Sequence, residues 1–204
     1  MYKYPVIVFE GIEASGKSTN LNIAANYLKK KKKKFIKLRE PGGTSVSEII
    51  RKILLNKKYN LNNKADLMLF YASRSENYEK IIKKNYRKKI ILIDRFTDSS
   101  VAYQHFGMGI EFKIIKLLNK LIIGNFKPDI TFLSTVNVKN LKSRLHKRLI
   151  LNRYDKFKLN FYSKVQRGYY KLAKNNRNYI VIDSNLKTIK EVKKIITTKL
   201  EKNF

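Results

Sequence analysis

Eight residues near the start of the chain carry the plainest chemistry: Gly11-Ile12-Glu13-Ala14-Ser15-Gly16-Lys17-Ser18. Two glycines with four residues between them, then Lys and Ser, make the pattern of a loop that cradles phosphate. Gly11 and Gly16 allow backbone conformations barred to other residues, so successive N–H groups can converge on an anion. Lys17 adds a full positive charge, a helix start adds a partial one, and the Ser18 hydroxyl is suited to holding Mg²⁺. A glycine-rich turn with a surface lysine is the bland alternative. The context speaks against it: the apolar run Val6-Ile7-Val8-Phe9 precedes the loop and a helix-like stretch from Thr19 to Lys30 follows. The ligand implied is a nucleoside triphosphate.

Further groups stand at the ends of other apolar runs. Asp94-Arg95-Phe96 follows Ile90–Ile93, and a carboxylate there would orient Mg²⁺ or its water. Arg95 beside it would bind phosphate. Thr97-Asp98-Ser99-Ser100-Val101-Ala102-Tyr103-Gln104 then begins a helix with donors and acceptors suited to a base edge. Arg39-Glu40-Pro41-Gly42-Gly43-Thr44 reads as a rigid, close-approach turn, with Thr44 or Ser45 capping the next helix. Arg39 is equally readable as a surface charge or a phosphate ligand. Phe70 and Arg74, four apart on a helix, share one face, either as a base-binding pair or as core packing with an extended arginine.

Positioning these groups requires a particular scaffold. Strands are expected at Val6–Phe9, Phe35–Leu38, Ile90–Ile93, Ile130–Leu133 and Tyr179–Ile182, and helices at about 17–30, 45–56, 64–86, 111–123, 138–149, 156–174 and 188–201. Continuous apolar strands alternating with amphipathic helices predict an α/β domain, a mostly parallel sheet covered on both faces. Ligands of such sheets gather at the carboxyl ends of the strands, where the residues above fall.

Composition closes off other classes. With 204 residues and neither repeat nor linker, a single domain over 1–204 is expected. No cysteine and two histidines exclude disulfides, thiol catalysis and histidine-rich metal centres, and fit a cytoplasmic protein. No apolar run is long enough for a membrane span, and the first residues lack the build of a signal peptide. The net charge of +31 invites a nucleic-acid reading, but Lys, Asn, Ile and Tyr share A/T-rich codons, and base bias accounts for the excess. The six lysines 29–34 read as a solvated helix end. No specific nucleic-acid partner is expected.

Taken together, Arg39–Thr44, Phe70-x-x-x-Arg74, Asp94-Arg95-Phe96-x-x-Ser99-Ser100-x-Ala102-Tyr103-Gln104 and Pro128-Asp129-Ile130-Thr131 resemble the bacterial thymidylate kinases in order and spacing. Asn152-Arg153-Tyr154-Asp155, followed by Val165-x-x-Gly168-Tyr169, is similar to that family's lid and the helix after it. The resemblance covers nearly the whole chain. It implies a P-loop nucleoside monophosphate kinase fold with a five-stranded parallel sheet flanked by helices, a P-loop at 11–18, a lid at about 142–155, and a homodimer. The implied reaction passes a phosphoryl group from ATP to dTMP, with Mg²⁺ held by Ser18 and Asp94. ATP would occupy Gly11, Ile12, Glu13, Ala14, Ser15, Gly16, Lys17, Ser18 and Thr19. For dTMP, Phe70 would stack on thymine and Arg74 would bond its carbonyl edge. Ser99, Ser100 and Gln104 would flank the base, and Arg95 with Arg39 would hold the phosphate. Pro41 and Arg51 would border the pocket, Tyr103 would crowd the sugar where a 2′-OH would sit, and Glu13 would face the sugar or a water on Mg²⁺.

Some relatives carry an arginine just after the acidic P-loop residue, where this chain has Ala14. The implied substitute is a lid arginine, Arg153 first and Arg148 next, from a segment that also holds Arg144 and Lys147. Catalysis would then rest on Lys17, Arg95, Glu13 and that lid arginine, without a general base. Four departures stand out: Ser134 and Thr135 end the fourth strand with polar groups; the lid lacks glycine; Leu149, Ile150 and Leu151 would suit a more rigid helix; and His105 reads as a loop histidine with no catalytic task. A kinase for another deoxynucleotide and a basic, nucleic-acid-stimulated ATPase are the alternatives.

Overall fold

Each expected strand forms and runs one or two residues past its apolar stretch: β1 Val6–Glu10, β2 Phe35–Arg39, β3 Ile90–Asp94, β4 Ile130–Thr135 and β5 Tyr179–Asp183. The computed structural model describes residues 4–147, 149, 151–174 and 176–202. All pairings are parallel, in the order β2-β3-β1-β4-β5. The extra residues matter because the register aligns them. Phe9 and Arg39 both pair with Asp94, while Glu10 follows one step on beside Leu133, so Glu10, Arg39 and Asp94 share one edge of the sheet. The chain from β1 leaves toward β2 on one side, and β4 lies on the other. The loop after β1 therefore opens at the point where the strand order reverses.

The period of two along β1 explains why helices cover both faces. Ile7 and Phe9 pack with Leu92, Phe132 and Ile182 under α1 (Lys17–Lys30) and α8 (Ile189–Glu201). Val6 and Val8 pack on the other face with Ile91, Ile93, Ile82 and Ile123. Phe9 and Phe132, opposite each other in the register, stack at 5.4 Å. The polar end of β4 is accommodated by partners: Asn20 of α1 donates to Ser134 Oγ at 2.9 Å, and Ser184 donates twice to the Thr135 carbonyl. Lys29 and Lys30 close α1, and lysines 31–34 lie exposed in the turn that follows.

The remaining helices are α2 (Ser45–Leu55), α3 (Asn63–Asn77), α4 (97–107), α5 (Phe112–Ile123), α6 (Val138–His146) and α7 (Leu159–Ala173). Thr44, not Ser45, caps α2, its hydroxyl accepting from Ser47 N. The stretch expected as one helix over 64–86 is interrupted by a π-helical turn, Tyr78–Ile82, before ending at Asn85. In α4 the α-helical Thr97–Ser100 passes into a π-helix, Val101–Gly107, which places His105 in a helix rather than a loop. Its Nδ1 meets the Ile110 carbonyl at 2.8 Å. Gly168 lets α7 close on α4, since an added Cβ would stand 2.7 Å from Phe106 Cγ.

The region expected as lid departs most from expectation. Helix α6 stops at His146, Leu149 is fully exposed, Leu151 lies in irregular chain, and a single 3-10 turn covers Tyr154–Lys156. Leu149 covers no core surface and so has nothing to hold it in a helix, while Ile150 lies outside the described residues.

Candidate active site

The loop after β1 has the backbone its glycines permit: φ is 138° at Gly11 and 94° at Gly16, with Ala14 also left-handed at 53°. Gly16 is the N-cap of α1, so the first amides of that helix stay free for an anion. Lys17 is 7% exposed and donates from Nζ to the Ile12 carbonyl at 2.7 Å. Burial, and then the charge of Arg95, push its ammonium down to about 8. A lysine so placed lacks a full counter-charge until phosphate arrives. Ser18 Oγ donates to Asp94 Oδ2 at 3.0 Å. A hydroxyl and a carboxylate converging beside the loop fit Mg²⁺, an oxygen-seeking ion. No group of three His, Cys, Asp or Glu able to hold a metal occurs among the described residues, so phosphate and water oxygens would complete such a site.

Two cavities meet at Lys17 and Ser18. One, of about 190 Å³, runs from Glu13, Asp94 and Arg95 to Pro41, Phe70, Ser100 and Gln104. The other, of about 480 Å³, lies across the loop against Arg144, Ser184, Lys187 and Ile189. The first brings together most acceptor residues expected from the sequence: Arg39, Pro41, Arg51, Phe70, Arg95, Ser99, Ser100, Tyr103 and Gln104 all line it. The second takes in 14–19 of the loop.

Arg95 sits between the two ends. Its backbone is left-handed, φ 67°, which swings the guanidinium back over the loop. Nη1 donates to the Gly11 carbonyl at 2.9 Å, and Nη2 to Glu13 Oε1 at 2.9 Å and to the Tyr103 hydroxyl at 3.2 Å. Tyr103 donates to the other Glu13 oxygen at 2.5 Å. Behind this group lies Glu10, fully buried, accepting from Phe96 N, Ser99 Oγ and Tyr169 OH. Burial, then the nearby Asp98, push its carboxyl up to about 7.

Arg74 differs from expectation. It does not line the cavity but lies just behind its wall, 1% exposed. Nε is paired with Glu40 at 2.8 Å, Nη1 donates to Ser100 Oγ and Nη2 to the Phe96 carbonyl. Its reach to the cavity runs through Ser100. Arg39 pairs with the exposed Glu48, and Arg51 donates to the Pro41 carbonyl at 2.6 Å.

The segment after α6 changes the account of the arginines. Arg153 is not at the loop: its Nε donates to the Leu54 carbonyl at 2.9 Å and its Nη2 is paired with buried Asp66. Its guanidinium is taken up by the helices that wall the acceptor cavity. Arg144 is the basic residue brought to the loop, donating to the Ala14 carbonyl at 3.0 Å and to Ser184. Arg148 lies outside the described residues.

Several participants escaped the sequence reading. Glu10 carried the same signal as Asp94, a carboxylate ending an apolar strand. Glu40 sat unread inside the Arg39–Thr44 turn. Asp66 gave no signal, because an acid in the first turn of a helix ordinarily serves the helix dipole. Tyr154 and Asn152 join the cavity wall only because the chain folds back onto α2 and α3.

Fold and site together define a P-loop phosphotransferase with separate donor and acceptor cavities. Its relatives narrow that class. A family model for thymidylate kinase matches residues 9–196. A thymidylate kinase of Thermosipho africanus is 41% identical over 97% of this chain and 98% of its own, and one of Hahella chejuensis is 37% identical over 96% and 95%. The crystal structure of thymidylate kinase from Ehrlichia chaffeensis superposes with a TM-score of 0.78 at 35% identity, covering 97% of this chain and 98% of that one. The chain belongs to the thymidylate kinase family.

Proposed function

We propose that this enzyme transfers the γ-phosphoryl group of ATP to dTMP, giving ADP and dTDP. The observation that carries the reading is the meeting of the two cavities at Lys17 and Ser18, with Arg95 reaching over the junction. An oxygen of the dTMP phosphate forms the new bond to the γ-phosphorus while the bond to the β,γ-bridging oxygen breaks, leaving the electron pair on ADP. The acceptor needs no general base, since a phosphate monoester has a second pKa of about 6 and is mostly dianionic near neutral pH. What the protein must supply is alignment of two anions and positive charge at the transferring group. Loop amides and Lys17 hold the β- and γ-phosphates, and Arg95 leaves Glu13 for the dTMP phosphate. Ser18 and Asp94 would hold Mg²⁺, which would supply charge neutralisation at the triphosphate.

Phe70 provides the face on which thymine stacks, with Ser100 and Gln104 at its edge and Tyr103 against the sugar. Arg74 acts on the base through Ser100. We assign the arginine on the donor side to Arg144, which already lines that cavity, and give Arg153 the task of tying the lid to α2 and α3.

We also propose a homodimer and a cytoplasmic setting. Along α5, Ile114, Leu117 and Leu121 are exposed on one stripe, and Met68 of α3 is exposed too. Lys113, Lys116 and Lys120 fall on the adjoining stripe, so in such a contact they would flank the apolar row. Light scattering on Leu117→Glu should report a monomer where the parent is a dimer; a dimeric variant would refute that face. No helix among the described residues is long and apolar enough to cross a membrane.

A coupled ADP-release assay with dTMP, dUMP, dCMP and thymidine tests the main reading. The largest kcat/KM should belong to dTMP. Faster turnover of any competitor, or ATP hydrolysis driven by nucleic acid and indifferent to dTMP, would overturn it.

A further inference from the structure

Asp66 opens α3, where an acid would serve the helix dipole equally well from the surface, yet its carboxylate is fully buried. Its two oxygens face two different elements. Oδ1 accepts from Nε2 of Gln104 in α4 at 2.9 Å. Oδ2 accepts from the Tyr154 hydroxyl at 2.5 Å and pairs with Arg153, both on the lid segment. Gln104 is itself 2% exposed and lines the acceptor cavity near Phe70 and Ser100.

An ionised carboxylate can only accept hydrogen bonds. The Gln104 amide must therefore turn its NH₂ toward Asp66, which leaves the carbonyl Oε1 as its open atom. Oε1 has no protein partner among the described residues. The Ser100 hydroxyl accepts from Arg74, so its own hydrogen is left to donate, toward Tyr71 or toward the base. The cavity thus presents an acceptor with a donor nearby. Thymine and uracil match this with N3–H and O4. Cytosine does not, because its N3 is an acceptor and its C4 substituent is an amine.

We propose that Asp66 is a specificity-determining positioning residue: by locking the Gln104 amide with its carbonyl toward the base, it makes the enzyme reject pyrimidine monophosphates that lack N3–H. The inference rests on the base lying between Phe70 and Gln104.

The isosteric substitution Asp66→Asn separates this role from a merely structural one. Arg153 and Tyr154 are both donors toward Oδ2, so the asparagine carbonyl turns to them and its NH₂ faces Gln104. That amide then flips to accept, turning Nε2 to the base. The kcat/KM ratio of dTMP over dCMP should fall by about tenfold or more. The ratio of dTMP over dUMP should hold within about twofold, because both bases carry N3–H. Structural damage alone would lower all three substrates together, and a dTMP/dCMP ratio at the parental value overturns the proposal.

Gln104→Ala distinguishes the two layers of the reading. A lowered dTMP/dCMP ratio in Gln104→Ala, with none in Asp66→Asn, overturns the role of Asp66 alone. A parental ratio in Gln104→Ala overturns the placement of the base and the inference with it. Should Asp66→Asn not fold, a crystal structure of the parent enzyme with dTMP decides. The amide atom of Gln104 turned away from Asp66 should lie at hydrogen-bond distance from N3, and its absence there overturns the proposal.

Discussion

Replacing Lys17 by Met should abolish phosphoryl transfer and yet leave the unliganded protein more stable near neutral pH. The ammonium is buried, and burial lowers it from 10.5 to about 8. A group whose folded pKa lies below its unfolded pKa destabilises the fold wherever the unfolded chain would hold the proton more tightly. The penalty is full below pH 8, where both states are protonated, and it fades as pH rises from 8 to 10.5. At 1.36 kcal/mol per unit, the shift amounts to about 3 kcal/mol. Lys17→Met also removes the bond to the Ile12 carbonyl, a loss of about 1 kcal/mol, so the net gain at pH 7 should be about 2 kcal/mol. Urea denaturation of both proteins between pH 7 and 10.5 measures this directly. Groups remote from the loop titrate alike in the two chains, so the difference reports Lys17 together with the carboxylates coupled to it, Asp94, Glu13 and Glu10. The variant should lead by about 2 kcal/mol at pH 7 and trail by about 1 kcal/mol at pH 10.5, a swing of about 3 kcal/mol. A difference that stays constant across that range would refute the reasoning, because it would mean that Lys17 keeps its ordinary affinity for the proton. Adding ATP should favour the parent at pH 7, since only the parent can pair the phosphates with a Lys17 ammonium.

Other positions give sharper answers about chemistry. Arg144→Ala should lower kcat by about a hundredfold or more by the logic of arginine fingers, whereas Arg153→Ala should mainly cost stability; a pre-steady-state assay showing the reverse would restore Arg153 to the donor side. Phe70→Ala should raise KM for dTMP by about tenfold or more, the worth of one stacked base, with ATP binding unchanged in calorimetry. Stability should fall as pH rises from 4.5 through 7 by the contribution of Glu10, whose folded pKa is raised, and Glu10→Gln should flatten that slope in thermal melts. Gly168→Ala should destabilise the fold by about 1–3 kcal/mol, since its Cβ would enter the space of the Phe106 ring; an unchanged melting temperature would contradict the packing.

Much of this site was legible because its signals are local. The P-loop needs particular residues at neighbouring positions, and strand ends announce themselves as a polar residue closing an apolar run. Asp94 and Arg95 were found that way, and Glu10 was available by the same rule. Arg74 was read onto the right helix face but one layer too far forward. Helical spacing sets a direction, whereas the depth of a side chain depends on partners such as Glu40 and Phe96, distant in sequence. The different placements of Arg153 and Arg144 were hidden for a related reason. Their sequence neighbourhoods are equally basic, and only the presence of buried Asp66 near one and the Ala14 carbonyl near the other separates them.

Local residue order was enough to specify that a triphosphate-binding loop follows the first strand, that the sheet is parallel and covered on both faces, and which residues reach its carboxyl edge. Those properties follow from backbone freedom at glycine and from the period of apolar side chains, both written into adjacent residues. How the charges at that edge are shared depends on the folded packing: Glu13 pairs with Arg95, Glu40 with Arg74, and Asp66 with Arg153. A buried charge must find a partner wherever the fold supplies one, and no spacing along the chain records which partner that is.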